Sequence, residues 1–133
     1  MNSPTLAIQG AINSRLRSQV TAVSNRVYDA VPQSVSFPYI AFGEIQRVED
    51  GAECIAADEV FVTLHVWSRA VGSVETHQIC NAAISALHEW TPDLSDSDLD
   101  CIEMMHRDTR VMRDPDGITT HGILTFRALV DQL

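Results

Sequence analysis

Glu59-Val60-Phe61-Val62-Thr63-Leu64-His65-Val66-Trp67-Ser68-Arg69, followed at once by Ala70-Val71-Gly72, is the stretch from which the rest of the chain is read. Successive strand side chains point to opposite faces, so Val60, Val62, Leu64 and Val66 form one aliphatic face and Phe61, Thr63, His65 and Trp67 the other. The first face needs a core. The second carries two large aromatics that a solvated sheet face does not normally expose, so it needs a cover of its own.

Working outward, the aliphatic face finds partners in two helical patterns. Ser3-Pro4 is a helix start, with Ser3 able to cap and Pro4 where a missing N–H costs nothing. Ile8, Ile12, Leu16, Val20, Val23 and Val27 then recur at helical spacing, which predicts one long helix fraying near Ser24-Asn25. Downstream, Gly72-Ser73 opens a second helix with Ser73 as candidate cap and Glu75 in its first turn. Its apolar positions are Ile79, Cys80, Ala83, Ile84 and Leu87, and Trp90-Thr91-Pro92 ends it.

Three further strands complete the pattern. Tyr39 to Val48 reads as a first strand whose apolar phase breaks at Gly43, the mark of a bulge or close backbone approach. Glu49 to Asp58 is an acidic loop leading into the opening stretch. Leu99 to Arg113 is a strand of weak pattern, and Asp114-Pro115-Asp116-Gly117 is a turn, Pro presetting one backbone angle and Gly taking the positive one. The last strand, Ile118 to Val130, places Ile118, Leu124, Phe126, Ala128 and Val130 on one face. The order α-β-β-α-β-β predicts a single α+β domain over residues 1–133: a largely antiparallel four-stranded sheet with two helices packed on one face. Phe61, His65 and Trp67 then lie on the uncovered side, where a second subunit is the natural cover.

Composition narrows the function. The 133 residues carry nine arginines, no lysine and eighteen acids, a formal charge of −9. That balance argues against general affinity for nucleic-acid phosphates or anionic membranes. It suits a solubility surface and equally a conduit past which DNA slides without sticking. Cys54, Cys80 and Cys101 are odd in number and irregularly spaced, as expected of reduced thiols rather than a disulfide framework. No apolar run has the length of a membrane span and no basic-then-hydrophobic N-terminal segment is present, so synthesis and folding in the cytoplasm are expected.

A search for chemistry is negative. Among His65, His77, His88, His106 and His121 no zinc pair stands out; His77 and Cys80 lie three apart, but two ligands do not make a site, and Cys80 in the core stripe is the simpler account. Asp96-Ser97-Asp98-Leu99-Asp100 begins like a calcium loop and fails at Cys101, where Gly is needed, and at Arg107, where a bidentate Glu belongs. There is no Gly-x-Ser-x-Gly elbow and no phosphate-binding glycine loop. Arg107, Arg110 and Arg113 alternate between faces, and pairing with Asp108 and Asp114 is expected of them rather than phosphate binding. No catalytic residue, metal or cofactor is therefore predicted.

One block is distinctive. Asn25-Arg26-Val27-Tyr28-Asp29-Ala30-Val31-Pro32, followed by Phe37-Pro38-Tyr39-Ile40, resembles the tail-completion or tail-terminator proteins of long-tailed phages and phage-derived gene transfer agents. Weaker matches follow in order: Val66-Trp67-Ser68-Arg69, Gly72 with Glu75, and Asp116-Gly117 with His121-Gly122. The resemblance implies a structural virion protein without catalytic residues, located at the head-proximal end of the tail. It implies a homohexameric ring that ends tube polymerisation, contacts the tail tube protein and the head connector or stopper, and lets DNA pass through, with no membrane partner. A ring needs two different patches on each subunit, and Phe61, His65 and Trp67 are candidates for one of them. Glu49, Asp50, Glu53, Asp114, Asp116 and Gly117 are candidate docking-loop or channel residues, although a merely solvated acidic loop fits Glu49, Asp50 and Glu53 as well. The alternatives are a small dimeric ligand-binding or enzymatic α+β domain, which predicts a concave pocket with convergent polar groups, and another connector or tube component.

Overall fold

The computed structural model describes residues 3–49 and 57–133. Helix α1 spans Pro4–Gln19, and strands β1 (Val27–Tyr28), β2 (Tyr39–Glu49) and β3 (Ala57–Ser68) follow. Helix α2 spans Val74–Leu87, and β4 (Leu99–Arg113) and β5 (Thr120–Gln132) close the chain.

Ser3 caps α1 through its side chain, which accepts the Leu6 N–H at 3.2 Å, and Pro4 opens the first turn. The helix ends sooner than its apolar stripe. Val20 donates back to the Leu16 carbonyl at 2.9 Å, a short 3₁₀ turn covers Thr21–Val23, and Ser24 and Asn25 take left-handed backbone angles, which reverse the chain. Val23, in that turn, and Val27, in β1, are fully buried nonetheless, Val27 because the chain returns along the sheet as a strand instead of continuing as helix. At α2, Ser73 occupies the cap position without a side-chain cap bond, its N-terminal role being limited to the backbone. The helix stops at Leu87, before Trp90-Thr91-Pro92, since His88 is extended and Glu89 has a positive φ of 60°.

The class expected from the sequence is α+β, and the sheet differs in detail from that expectation. Among the described residues it has five strands in the order β1-β2-β3-β5-β4. β1 runs parallel to β2 through Val27 to Ile40 and Tyr28 to Ala41, so the sheet is mixed, while the four long strands are antiparallel throughout. The missed strand is two residues long, too short for any periodicity to reveal. The phase break at Gly43 is a register shift between Phe42 and Ile45. The weak pattern of β4 has the same origin, with shifts between Cys101 and Glu103 and between His106 and Asp108. Ile118 does not join the core face of the last strand: it precedes β5 in the turn and is 61% exposed.

Both helices pack on the aliphatic face. Val60, Val62, Leu64 and Val66 are completely buried with Ile8, Ile12 and Leu16 of α1, Ile79, Ala83 and Leu87 of α2, and Leu124, Phe126 and Ala128 of β5. Cys80 and Cys101 are free and buried in this layer, which pushes both thiols up to about 11. His77, beside Cys80, faces solvent.

Candidate assembly surfaces

The face opposite the helices presents alternate residues of each strand. On β3 these are Phe61, Thr63, His65 and Trp67, and all four are half-buried rather than exposed. Antiparallel pairing supplies the reason, because it sets His121 opposite Trp67, Ile123 opposite His65 and Arg127 opposite Phe61. Trp67 stacks on the His121 ring with centroids 3.7 Å apart and planes 8° from parallel. His65 Nδ1 and His121 Nε2 share a hydrogen bond of 2.7 Å. Burial lowers the pKa of both imidazoles, and for His121 the neighbouring His65 and Arg110 push it further down while Asp114 opposes them.

This cluster continues towards the β1 side. Tyr39, opposite Trp67, packs against Tyr28 at 5.9 Å and Phe37 at 5.1 Å, and the Arg69 guanidinium lies 4.2 Å from the Phe37 ring centre. Gly43 lies against the His65 ring: a Cβ there would come within 2.5 Å of Nε2. At the opposite end of the face the chemistry becomes ionic. Arg127 donates to Glu59 at 2.5 Å and to Glu103 at 3.0 Å, tying β3, β5 and β4 together, and Arg107 lies over Phe61 at 5.8 Å. The single chain thus covers its own Trp67 and Phe61 in part. His121, Tyr39 and Arg127 were not legible as members of this face, because their place depends on long-range register.

The expected docking elements do not come together. Glu49 ends β2 opposite Asp58, whereas the 114–117 turn follows Arg113, which is level with Thr120 and Ser68. They therefore occupy opposite ends of the sheet. Asp50, Glu53 and Cys54 lie outside the described residues. The turn is internally fixed: Asp116 Oδ1 accepts the N–H groups of Ile118 at 2.9 Å and Thr119 at 2.8 Å, Oδ2 accepts the Thr119 hydroxyl at 2.6 Å, and Gly117 has φ +77°. The Thr119 hydroxyl, with these amides, holds the Asp116 carboxyl below the usual carboxylate range. Around it Val71, Val74, Met112 and Ile118 expose apolar side chains.

Among the described residues, no group of three or more His, Cys, Asp or Glu side chains is placed to hold a metal ion, and Arg107, Arg110 and Arg113 form no ion pair with Asp108 or Asp114. An open groove of about 530 Å³ lies between the small residues of α1, Ala7, Gly10 and Ala11, and the segment around Asp93 and Leu94. No described helix is long and apolar enough to cross a membrane.

Residues 10–131 match the family model described as "Tail completion protein gp17". A solved chain described as "Virion of native gene transfer agent (GTA) particle" superposes with a TM-score of 0.83 at 22% identity, covering 97% of this chain and 99% of that one. At that identity the likeness is one of fold. The search of curated proteins gave no match.

Proposed function

The chain belongs to the tail completion protein gp17 family, and from that premise we propose that it is the terminator of a phage-type tail. As a tail-completion protein it is a structural component of the virion tail, in a phage or a gene transfer agent. The finer reading is that copies close into a homohexameric ring at the head-proximal end of the tube. That ring ends tube polymerisation, joins the head connector and leaves a channel for DNA. No catalytic step is assigned to it.

The observation that carries this reading is the extent of the family match, which runs from the middle of α1 to the end of β5. The geometry is compatible with it. A tail-end ring has to contact its own neighbours laterally and different proteins above and below. The sheet offers a lateral aromatic and ionic face around Phe61, His65 and Trp67. Its two ends offer the distinct elements at Glu49 and at Asp114, Asp116 and Gly117, all assigned here as contact residues. The acid-rich composition suits a wall along which DNA moves without adhering.

Light scattering and negative-stain imaging of the purified protein test the ring. Closed rings about as wide as a tail tube are expected. A protein that stays monomeric at all concentrations, alone and with isolated tail tubes, contradicts it.

A further inference from the structure

The reading as a ring leaves open how neighbours meet, and the two edges of the sheet answer differently along their lengths. The outer edge of β2 is occupied at Ile40 and Ala41 by β1, and beyond Ala41 no described strand lies beside it. The outer edge of β4 is occupied up to His106 by the end of α2: the Glu89 N–H donates to the Met104 carbonyl at 2.8 Å, and the His106 N–H donates to His88 Nδ1 at 3.0 Å. Beyond His106 that edge too has no neighbour among the described strands. In both strands a register shift marks the place where cover ends, between Phe42 and Ile45 and between His106 and Asp108. Beyond the shifts, two stretches of edge have no neighbouring strand among the described residues, 43–49 and 107–113. Such edges are templates for another strand unless something occupies them.

We propose that each subunit pairs its β4 edge, 107–113, antiparallel with the β2 edge, 43–49, of a second copy of this chain, making one sheet continuous from subunit to subunit. This rests on the ring reading above. Full overlap sets Gln46 opposite Arg110, Ile45 opposite Val111 and Glu49 opposite Arg107.

Three independent features fit that register. First, the faces agree. Ile45 is level with Val62 and Val111 with Gly122, so both lie on the helix side and pack at the margin of the core. Gln46 is level with Phe61 and Arg110 with Ile123, which faces His65, so both lie on the open side. A shift by one residue reverses every one of these.

Second, the charges complement each other. The β2 edge carries Glu44 and Glu49 around Arg47, and the β4 edge carries Arg107, Arg110 and Arg113 around Asp108. The two stretches therefore carry opposite net charge, −1 on the β2 edge and +2 on the β4 edge. Among the described residues these β4 arginines have no ion pair. Like chains meeting β4 to β4 instead would bring the arginines together.

Third, the stagger closes. Through β5, Arg110 is level with His65, four residues along β3 from Phe61, the partner of Gln46. Four residues at about 3.3 Å against four long strands at about 4.8 Å incline the strands by about 35° to the ring axis, within the range of closed barrels. A flat ribbon would need no stagger, and an open helix of subunits has no such requirement.

Disulfide trapping tests the register. Within one chain Gln46 and Arg110 are separated by β3 and β5, which puts them roughly 19 Å apart when the stagger is included, far beyond the reach of a disulfide. With Cys54→Ser to leave only the buried native thiols, Gln46→Cys/Arg110→Cys is expected to give a ladder of covalent oligomers on mild oxidation. Gln46→Cys/Val111→Cys, whose side chains face opposite ways, is expected to give at least about tenfold less. Particle size is measured alongside. Oligomers of native size with no excess of the 46–110 linkage overturn the edge pairing and leave the ring intact. Absence of both oligomers and ladder at every concentration, alone and on isolated tail tubes, overturns the ring and the pairing with it.

Discussion

His65 and His121 are joined by one hydrogen bond, Nδ1 to Nε2 at 2.7 Å, and Trp67 stacks on His121 at 3.7 Å. A bond between two ring nitrogens requires one to donate and one to accept, so a doubly protonated pair loses it. Burial holds both pKa values below that of a free histidine, and for His121 the neighbouring His65 adds to the lowering.

The consequence for stability has a definite sign. Both groups bind protons more readily in the unfolded chain, so their contribution is complete above the free histidine pKa of about 6.5 and is lost as pH falls through the lowered folded values. The urea midpoint is expected to drop between about pH 7 and pH 5, ahead of carboxylate protonation. His121→Asn is expected to flatten that drop. Gly43→Ala is expected to do the same, since its Cβ would displace the His65 ring, whose Nε2 lies 2.5 Å away. An unchanged slope in both variants refutes the assignment.

Gly122 is a packing position. A Cβ there would lie 2.6 Å from Cys80 Sγ and 3.2 Å from Thr76 Cγ2, in the layer between β5 and α2. Gly122→Ala is expected to lower unfolding stability by about 1–3 kcal/mol, the usual cost of overpacking. Cys80→Ala in the same chain is expected to recover part of the loss by removing the sulfur. Denaturant titration of the two variants decides it: equal stability of the single and double variants would show that Cys80 is not the obstacle.

Thr76 is completely buried, and its hydroxyl has no hydrogen-bond partner among the described residues. An unsatisfied buried polar group is a standing cost, whereas a methyl of the same shape is not. Thr76→Val is therefore expected to be neutral or to raise stability by about 1 kcal/mol in thermal or urea unfolding. A clear loss would mean that the hydroxyl is satisfied in the folded protein.

How much of this was legible from the residues alone depends on the range of each interaction. The burial of Val60 to Val66, the start of α1 at Ser3-Pro4, the irregularity at Gly43 and the Asp114–Gly117 turn all rest on neighbours within a few positions, and each is present. Val23 and Val27 kept the helical spacing and are buried, but on a 3₁₀ turn and a strand: periodicity reports which side chains go inside, not which backbone carries them there. Ile118 had the parity of the core face, but the Asp116 carboxylate holds its N–H in the turn. The composition of the open face around Trp67 required knowing that His121 lies opposite it, which no local pattern states.

The open face also yields a separation of folding from assembly. Phe61 is half-buried beneath Arg107, and Trp67, half-buried, stacks on His121. Phe61→Asp and Trp67→Ala are expected to abolish oligomers in light scattering while circular dichroism and cooperative unfolding stay close to those of the parent. Loss of the monomer fold would instead make them core residues.

The central claim, that this chain closes the head-proximal end of a tail, is tested most directly by electron microscopy of particles from a producing strain in which the gene is disrupted. The account predicts heads and tails that remain separate, with tails of irregular length, and restoration of joined particles by the intact gene. Complete, joined particles with tails of normal length in its absence would contradict it.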